Sequence, residues 1–217
     1  MGFDRLAPHY DWMEQVTAGG MLQRVRLSCL KNLRATRVLL AGEGHGKFLV
    51  PLCESLPSAE ITCLDASARM LEVARRRLEK EIPCVSGRIK WVHGALPHWS
   101  PPEESYDLVV TNFFLDCFDG DLLKDVVQAL SKSMQPGGSW LISDFAVPAH
   151  PLVRPPAQLA LWLMYRFFRR FTGLPARSLD SPFPILSSQG YLRTQKHDAL
   201  FGFLTSQLWQ RPADAVL

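Results

Sequence analysis

Two groups of residues in this chain have types and spacings suited to chemistry. The first is a glycine run. Gly42, Gly44 and Gly46 alternate with Glu43 and His45 directly after the apolar stretch Val38-Leu39-Leu40-Ala41. Alternate glycines remove side chains from a turn, so its backbone can take positive φ and lie close to a ligand. A helix starting near Lys47 would aim its free N–H groups back at that turn. A strand–glycine turn–helix unit binds a nucleotide-like ligand at the strand's carboxyl end, and Asp65 stands roughly 20 residues further on, where an acid reaches a ribose. A carboxylate accepts from both ribose hydroxyls. The second group holds the candidates for proton transfer: Asp116, Asp144, His150 and His98. Each falls near a loop at the same end of the expected strands. A structural or solvent-exposed role is the competing reading for every one of them.

Spacing narrows the ligand. A dinucleotide fingerprint needs G-x-G-x-x-G, and here Lys47 occupies the place of the third glycine. No Gly-Lys-Ser/Thr follows a four-residue gap, which argues against a triphosphate loop. The five cysteines (29, 53, 63, 84, 117) are scattered without a C-x-x-C pair, so neither a metal knuckle nor a disulfide framework is expected. No metal is expected. A reducing, cytoplasmic setting suits this cysteine usage. The net charge of +3 is too small to argue for nucleic acid, and no strongly basic run supports it.

The elements that must position these residues follow from the apolar pattern. The 217 residues suffice for one sizeable domain, with a helical cap at about 3–34 and a helical insertion at about 150–190. Helical pieces are expected over 3–12 and 21–33, with Gly19-Gly20 as hinge. Strands follow at 37–41, 60–65, 88–93, 106–111 and 139–144. Helices at 46–55, 67–81 and 120–133 alternate with them, Ser67 capping the second. Pro136-Gly137-Gly138 is expected to turn the chain into the fifth strand. Repeated β–α units imply a doubly wound, mostly parallel sheet with right-handed crossovers. Two terminal strands, 191–199 and 203–210, read as an antiparallel hairpin added to the sheet edge, completing seven strands. Between the fifth strand and this hairpin, the strongly apolar stretch 158–171 carries Arg166, Arg169 and Arg170 on one helical face and is too short and basic to span a bilayer.

The G-x-G-x-G run after an apolar strand resembles motif I of the class I S-adenosylmethionine (SAM) methyltransferases. That resemblance extends from about residue 3 to 210 and implies a Rossmann-like α/β fold, above whose cofactor mouth the insertion after the fifth strand is expected to form a small helical lid. It implies SAM as cofactor and S-adenosyl-L-homocysteine as product. Leu64-Asp65-Ala66-Ser67-Ala68-Arg69-Met70 resembles the second motif, which implies Asp65 and Ala66 at the sugar and Met70 near the adenosine; a plain core role suits Met70 equally. Thr111-Asn112-Phe113-Phe114-Leu115-Asp116 resembles the fourth motif, which implies Asn112 and Phe113 beside the transferred methyl. Phe114 and Phe118 then help wall an acceptor site. Two positions depart from the family. Ala95, followed by Leu96, stands where an acid commonly holds adenine, leaving backbone groups and packing to do so. Leu40 stands where an acid commonly precedes the first glycine. Glu43 then becomes the candidate partner of the methionine ammonium, with a solvated turn glutamate as the alternative. The opening Phe3-Asp4…Tyr10-Asp11 resembles the ubiquinone/menaquinone-biosynthesis methyltransferases, which implies Tyr10 as a cap on SAM.

A sulfonium methyl is already activated, so the site mainly has to align an acceptor and exclude water. The expected partner is a small, rather hydrophobic molecule, with at most peripheral membrane contact through 158–171. The competing readings are a catalytically silent methyltransferase-like scaffold and a nicotinamide oxidoreductase on a similar fold. Oligomeric state is left open.

Overall fold

The computed structural model describes residues 20–31 and 33–213. The helical cap expected at 3–19, Tyr10 included, therefore lies outside the described residues.

The strand Arg37–Ala41 (β1) explains the architecture. Val38, Leu39, Leu40 and Ala41 are all fully buried. A strand can be apolar at every position only where both faces of the sheet are covered. One face packs Val38 and Leu40 with Phe48, Leu49, Leu52, Ile61 and Val110. The other packs Leu39 and Ala41 with Val109, Leu123, Val126 and Trp140. Each such buried side chain stabilises the fold by roughly 1.5–3 kcal/mol.

Around β1 lie β2 (Glu60–Asp65), β3 (Ile89–His93), β4 (Tyr106–Asn112), β5 (Met134–Phe145), β6 (Leu192–Ala199) and β7 (Leu204–Gln210). Their order in the single sheet is β3-β2-β1-β4-β5-β7-β6. Strands β1 to β5 pair parallel, and β7 runs antiparallel between β5 and β6. The expected Rossmann-like sheet with its terminal hairpin is present. Because β2 and β3 extend to one side of β1 and β4 and β5 to the other, the order reverses between β1 and β4. In an open α/β sheet the ligand crevice lies at the carboxyl ends of such a switch point.

Among the described residues the α-helices are α1 (Met21–Ser28), α2 (Leu49–Ser55), α3 (Ala68–Glu81), α4 (Gly120–Ser133), α5 (Arg154–Thr172) and α6 (Phe183–Ser188). Helix α3 begins as expected: the Ser67 hydroxyl accepts from the Met70 N–H at 3.1 Å, and Met70, Leu71, Ala74 and Leu78 are buried.

Several expectations shift. Helix α2 starts at Leu49 rather than 46, because positive φ at Gly42, Gly44 and Gly46 keeps the preceding residues out of helix. Helix α1 ends at Ser28 rather than 33. Strand β5 starts at Met134; Pro136-Gly137-Gly138 forms an irregularity inside it, where the register with β4 slips between Tyr106 and Leu108. Helix α5 begins at Arg154, four residues ahead of the apolar stretch that starts at 158, and so takes in Pro155 and Pro156. They sit in the first turn of α5, where a missing N–H costs no helical hydrogen bond. The short α6 gave no signal in the sequence.

Helix α5 folds back over the carboxyl ends of β4 and β5. Leu161 and Tyr165 form a third apolar cluster with Leu174 and Ala176, against Phe145, Phe203 and Cys117.

Candidate functional site

Along the carboxyl edge, His93 pairs with Asp65, Leu64 with Ala41, Ala41 with Thr111, and Asn112 with Ser143. Asp65, Gly42 and Asn112 are thereby neighbours at the switch point.

The three glycines have different duties, although all have positive φ (71°, 70° and 85°). A Cβ at Gly42 would fall 2.1 Å from the Phe114 ring, and one at Gly46 would fall 2.7 Å from Cα of Ala74 on α3. Those two glycines let a ring and a helix approach the turn. A Cβ at Gly44 would meet nothing within 4 Å among the described residues. The open space needed for a close ligand is therefore above Gly44.

Asp65 is held at that opening. Its Oδ2 accepts from the Gly44 N–H at 3.0 Å and its Oδ1 from the Ser67 N–H at 2.8 Å. A carboxylate offers about four acceptor sites, enough for two N–H groups and the hydroxyls of a sugar. Ala66 and Ala95 are half-buried beside it. The Ala66 carbonyl is contacted by His93 Nε2 at 3.1 Å, and the Ala95 carbonyl accepts from the Trp99 N–H at 2.8 Å. The side chains of Leu96 and Met70 are buried.

Glu43 is not a solvated turn residue. It is buried, and its Oε1 accepts from the N–H groups of Phe48 (2.8 Å) and Leu49 (3.1 Å), capping α2 from within the glycine turn. Burial raises its pKa, opposed chiefly by the charge of Arg26 and then by His45. Arg26, itself buried on α1, holds its guanidinium 5.0 Å from the centroid of the Phe113 ring and donates to Gln23 Oε1 at 3.3 Å. Gln23 in turn donates to the Lys47 carbonyl at 2.9 Å, tying α1 to the turn. Neither Arg26 nor Gln23 stands out in the sequence as a site residue. The signal available was Glu43 itself, since a carboxylate inside a glycine turn needs a cation once it is buried.

Asn112 ends β4 with 5% of its surface exposed. Neither its amide nitrogen nor its amide oxygen has a partner among the described residues. An unpaired buried amide costs about 1–3 kcal/mol. The next residue, Phe113, has φ 51°, a left-handed conformation that strains a bulky side chain. Its N–H donates to the Ser143 carbonyl at 2.7 Å and its ring lies 5.0 Å from that of Phe145. Phe114 and Phe118 form an edge-to-face pair 5.2 Å apart.

Beyond these rings, two of the proton-transfer candidates meet. Asp144 Oδ2 accepts from the Asp116 N–H at 3.1 Å and its Oδ1 from the Phe145 N–H at 2.9 Å. Both side chains are buried. Burial pushes the Asp116 carboxyl up to about 6, and burial together with the charge of Asp116 holds Asp144 well above the ordinary carboxylate range. The Tyr165 hydroxyl, reaching down from α5, donates to the Asp116 carbonyl at 2.8 Å. His150 and His98 do not join this pair; both are exposed. His150 accepts from the Leu152 N–H at 3.3 Å and borders a separate cavity of about 780 Å³ beside β6 and β7. Among the described residues, no cluster of three His, Cys, Asp or Glu could hold a metal.

Residues 38–138 match the family described as "Methyltransferase domain". The chain is 30% identical over 155 residues to the ubiquinone/menaquinone biosynthesis C-methyltransferase UbiE of Syntrophotalea carbinolica, which covers 70% of this chain and 62% of that protein. The chain thus spans less than two thirds of that relative's length. In fold it is similar to an O-methyltransferase family protein from Burkholderia thailandensis, with TM-score 0.72, 18% identity, and coverage of 97% of this chain and 60% of the other. It is also similar to the 1,6-didemethyltoxoflavin-N1-methyltransferase of the same organism, solved with its substrate and S-adenosylhomocysteine (TM-score 0.62, 14% identity, 96% and 86% covered).

Proposed function

Since the chain belongs to the class I SAM-dependent methyltransferase superfamily, we propose that it transfers a methyl group from SAM to a small, hydrophobic acceptor. The observation that carries this reading is the pairing, among the described residues, of open space above Gly44 with the unpaired buried amide of Asn112 at the sheet's switch point. A plain turn needs neither.

SAM supplies an electrophilic methyl on a sulfonium. The chain's own residues hold and align. Asp65 accepts from the ribose hydroxyls, already oriented by the Gly44 and Ser67 N–H groups. Asn112 offers its amide to the methionine portion. Ala66, Ala95, Leu96 and Met70 bound the adenosine, with backbone groups near Ala95 serving in place of an acid. Tyr10 caps the cofactor. Glu43 acts through Arg26 and the start of α2, fixing the turn while contributing negative charge beside it. Phe113, Phe114 and the apolar inner face of α5 wall the acceptor and exclude water, so that alignment lowers the barrier.

An acceptor that loses a proton on methylation gives it to the Asp116–Asp144 pair. A carboxyl raised to about 6 is a better base near neutrality than an ordinary aspartate. The UbiE relative is named for quinone biosynthesis, which supports a ring-bearing acceptor.

Calorimetric titration with SAM, followed by mass spectrometry for S-adenosylhomocysteine across a panel of quinols, phenols and amines, tests this. Expected are SAM binding and product release with an apolar, ring-bearing acceptor. SAM binding without turnover on any member favours the silent scaffold. Binding of a nicotinamide cofactor instead of SAM overturns the reading.

A further inference from the structure

We propose that the outer face of α5 docks on an anionic lipid surface, a role that stands independently of methyl transfer. The inward face of α5 is accounted for: Ala157, Leu161, Tyr165 and Thr172 are buried on the protein. The outward face should then be polar. Instead Leu159, Trp162, Leu163 and Phe171 are each more than half exposed (54–58%), and Phe167 is 39% exposed. Positions 159, 162, 163, 167 and 171 recur at helical spacing, so these side chains form one stripe. Just before the helix, Leu152 is 82% exposed. An apolar stripe of this extent on a surface marks a contact with something apolar.

Charge identifies the occupant. Between Asp144 and Asp180 there is no acidic residue, but there are arginines at 154, 166, 169, 170 and 177. This one segment carries more positive charge than the whole chain's net +3, so the remainder of the chain is net negative. Arg154, Arg166, Arg169 and Arg170 are all exposed, and the Arg166 guanidinium lies 5.6 Å from the centroid of the Trp162 ring. Apolar and aromatic side chains flanked by arginines, with no acids, match the boundary between acyl chains and anionic headgroups. A second copy of the chain is a poorer occupant. A two-fold contact of this face with itself would set arginines against arginines. Among the described residues, no helix is long and apolar enough to cross a membrane, so the contact is peripheral. Because the inner face of the same helix reaches Asp116 through Tyr165, docking sets the Asp116 side of the sheet's carboxyl edge toward the lipid surface.

The test is flotation of the full chain with vesicles of pure phosphatidylcholine and of a phosphatidylcholine–phosphatidylglycerol mixture. The mixture should bind at least about tenfold more tightly, with the difference shrinking as salt rises. The triple variant R166E/R169E/R170E and, separately, Trp162→Ala with Leu163→Ser should each weaken binding about tenfold or more. All these side chains are exposed, so the melting temperature should stay put. The control K80E/K90E, also at exposed positions, should bind like the wild type. Binding to neither vesicle, equal loss in the control, or a concentration-dependent dimer that Trp162→Ala dissolves without any vesicle binding would each overturn the proposal.

Discussion

On the β1–β2 side of the sheet's carboxyl edge the proposed ligand surface is largely backbone, whereas on the β4–β5 side it is side chains roofed by a helix. The first side is built from Gly44 and from Asp65, whose carboxylate accepts from the Gly44 N–H across the neighbouring turn and from the Ser67 N–H within its own. The second brings together Asp116, Asp144 and Tyr165, which come from a strand-end turn, a strand and the inserted α5. A fixed backbone cradle suits the part of a reaction that does not change, the cofactor. A side-chain surface under a separate helix can be altered without disturbing that cradle, which suits the acceptor.

The sharpest way to break this contrast lies within the glycine turn itself. Gly46→Val drives a side chain into the main chain of α3 and should cost on the order of 3–5 kcal/mol of stability in denaturant melts. Gly44→Val should cost only the strain of its backbone, about 1–2 kcal/mol. Equal losses would show that Gly44 is packed like its neighbours. Next in size, Asp65→Ala should weaken SAM binding by about 10–100-fold by calorimetry, while leaving the packing of α5 intact.

On the other side, Asp116→Asn should act through pH. An acid whose pKa is raised on folding binds its proton more tightly folded than unfolded. Its stabilising contribution is therefore present at low pH and is lost as pH rises from about 4 through about 6. The wild type should lose on the order of 1–3 kcal/mol across that window. Asp116→Asn should show a shallower slope and greater stability at pH 7, yet slower turnover of any acceptor that gives up a proton. A steeper slope, or faster turnover, would contradict the assignment. The smallest effect is expected for Tyr165→Phe. Losing one hydrogen bond to the Asp116 carbonyl should cost about 1 kcal/mol, raise the acceptor KM a few-fold and leave SAM affinity unchanged.

The same division decided what could be read from the residues alone. The sheet was legible because buried strands such as Val38–Ala41 are continuously apolar, and the cradle because positive φ demands glycine. The Ser67 cap and the span of α4 were legible from local rules. Local rules failed where tertiary contacts choose. Glu43 could be read as a partner of the methionine ammonium or as a solvated turn residue, since nothing adjacent in sequence shows Arg26 arriving from α1. The pairing of Asp116 with Asp144 joins residues 28 positions apart and follows only from the strand register. Asp116 and His150 had equal standing as candidates until folding buried one and exposed the other. Helix α5 began earlier than expected because prolines that stop a helix inside it are accepted in its first turn.

The central claim is that the space above Gly44, gripped by Asp65 and Asn112, receives SAM. Calorimetric titration of SAM into the wild type and into Gly44→Val tests it most directly. The account predicts single-site binding to the wild type and a loss of at least about 100-fold in the variant, whose folded spectrum is unchanged. Equal affinity for the two proteins, or no binding to the wild type, would contradict it.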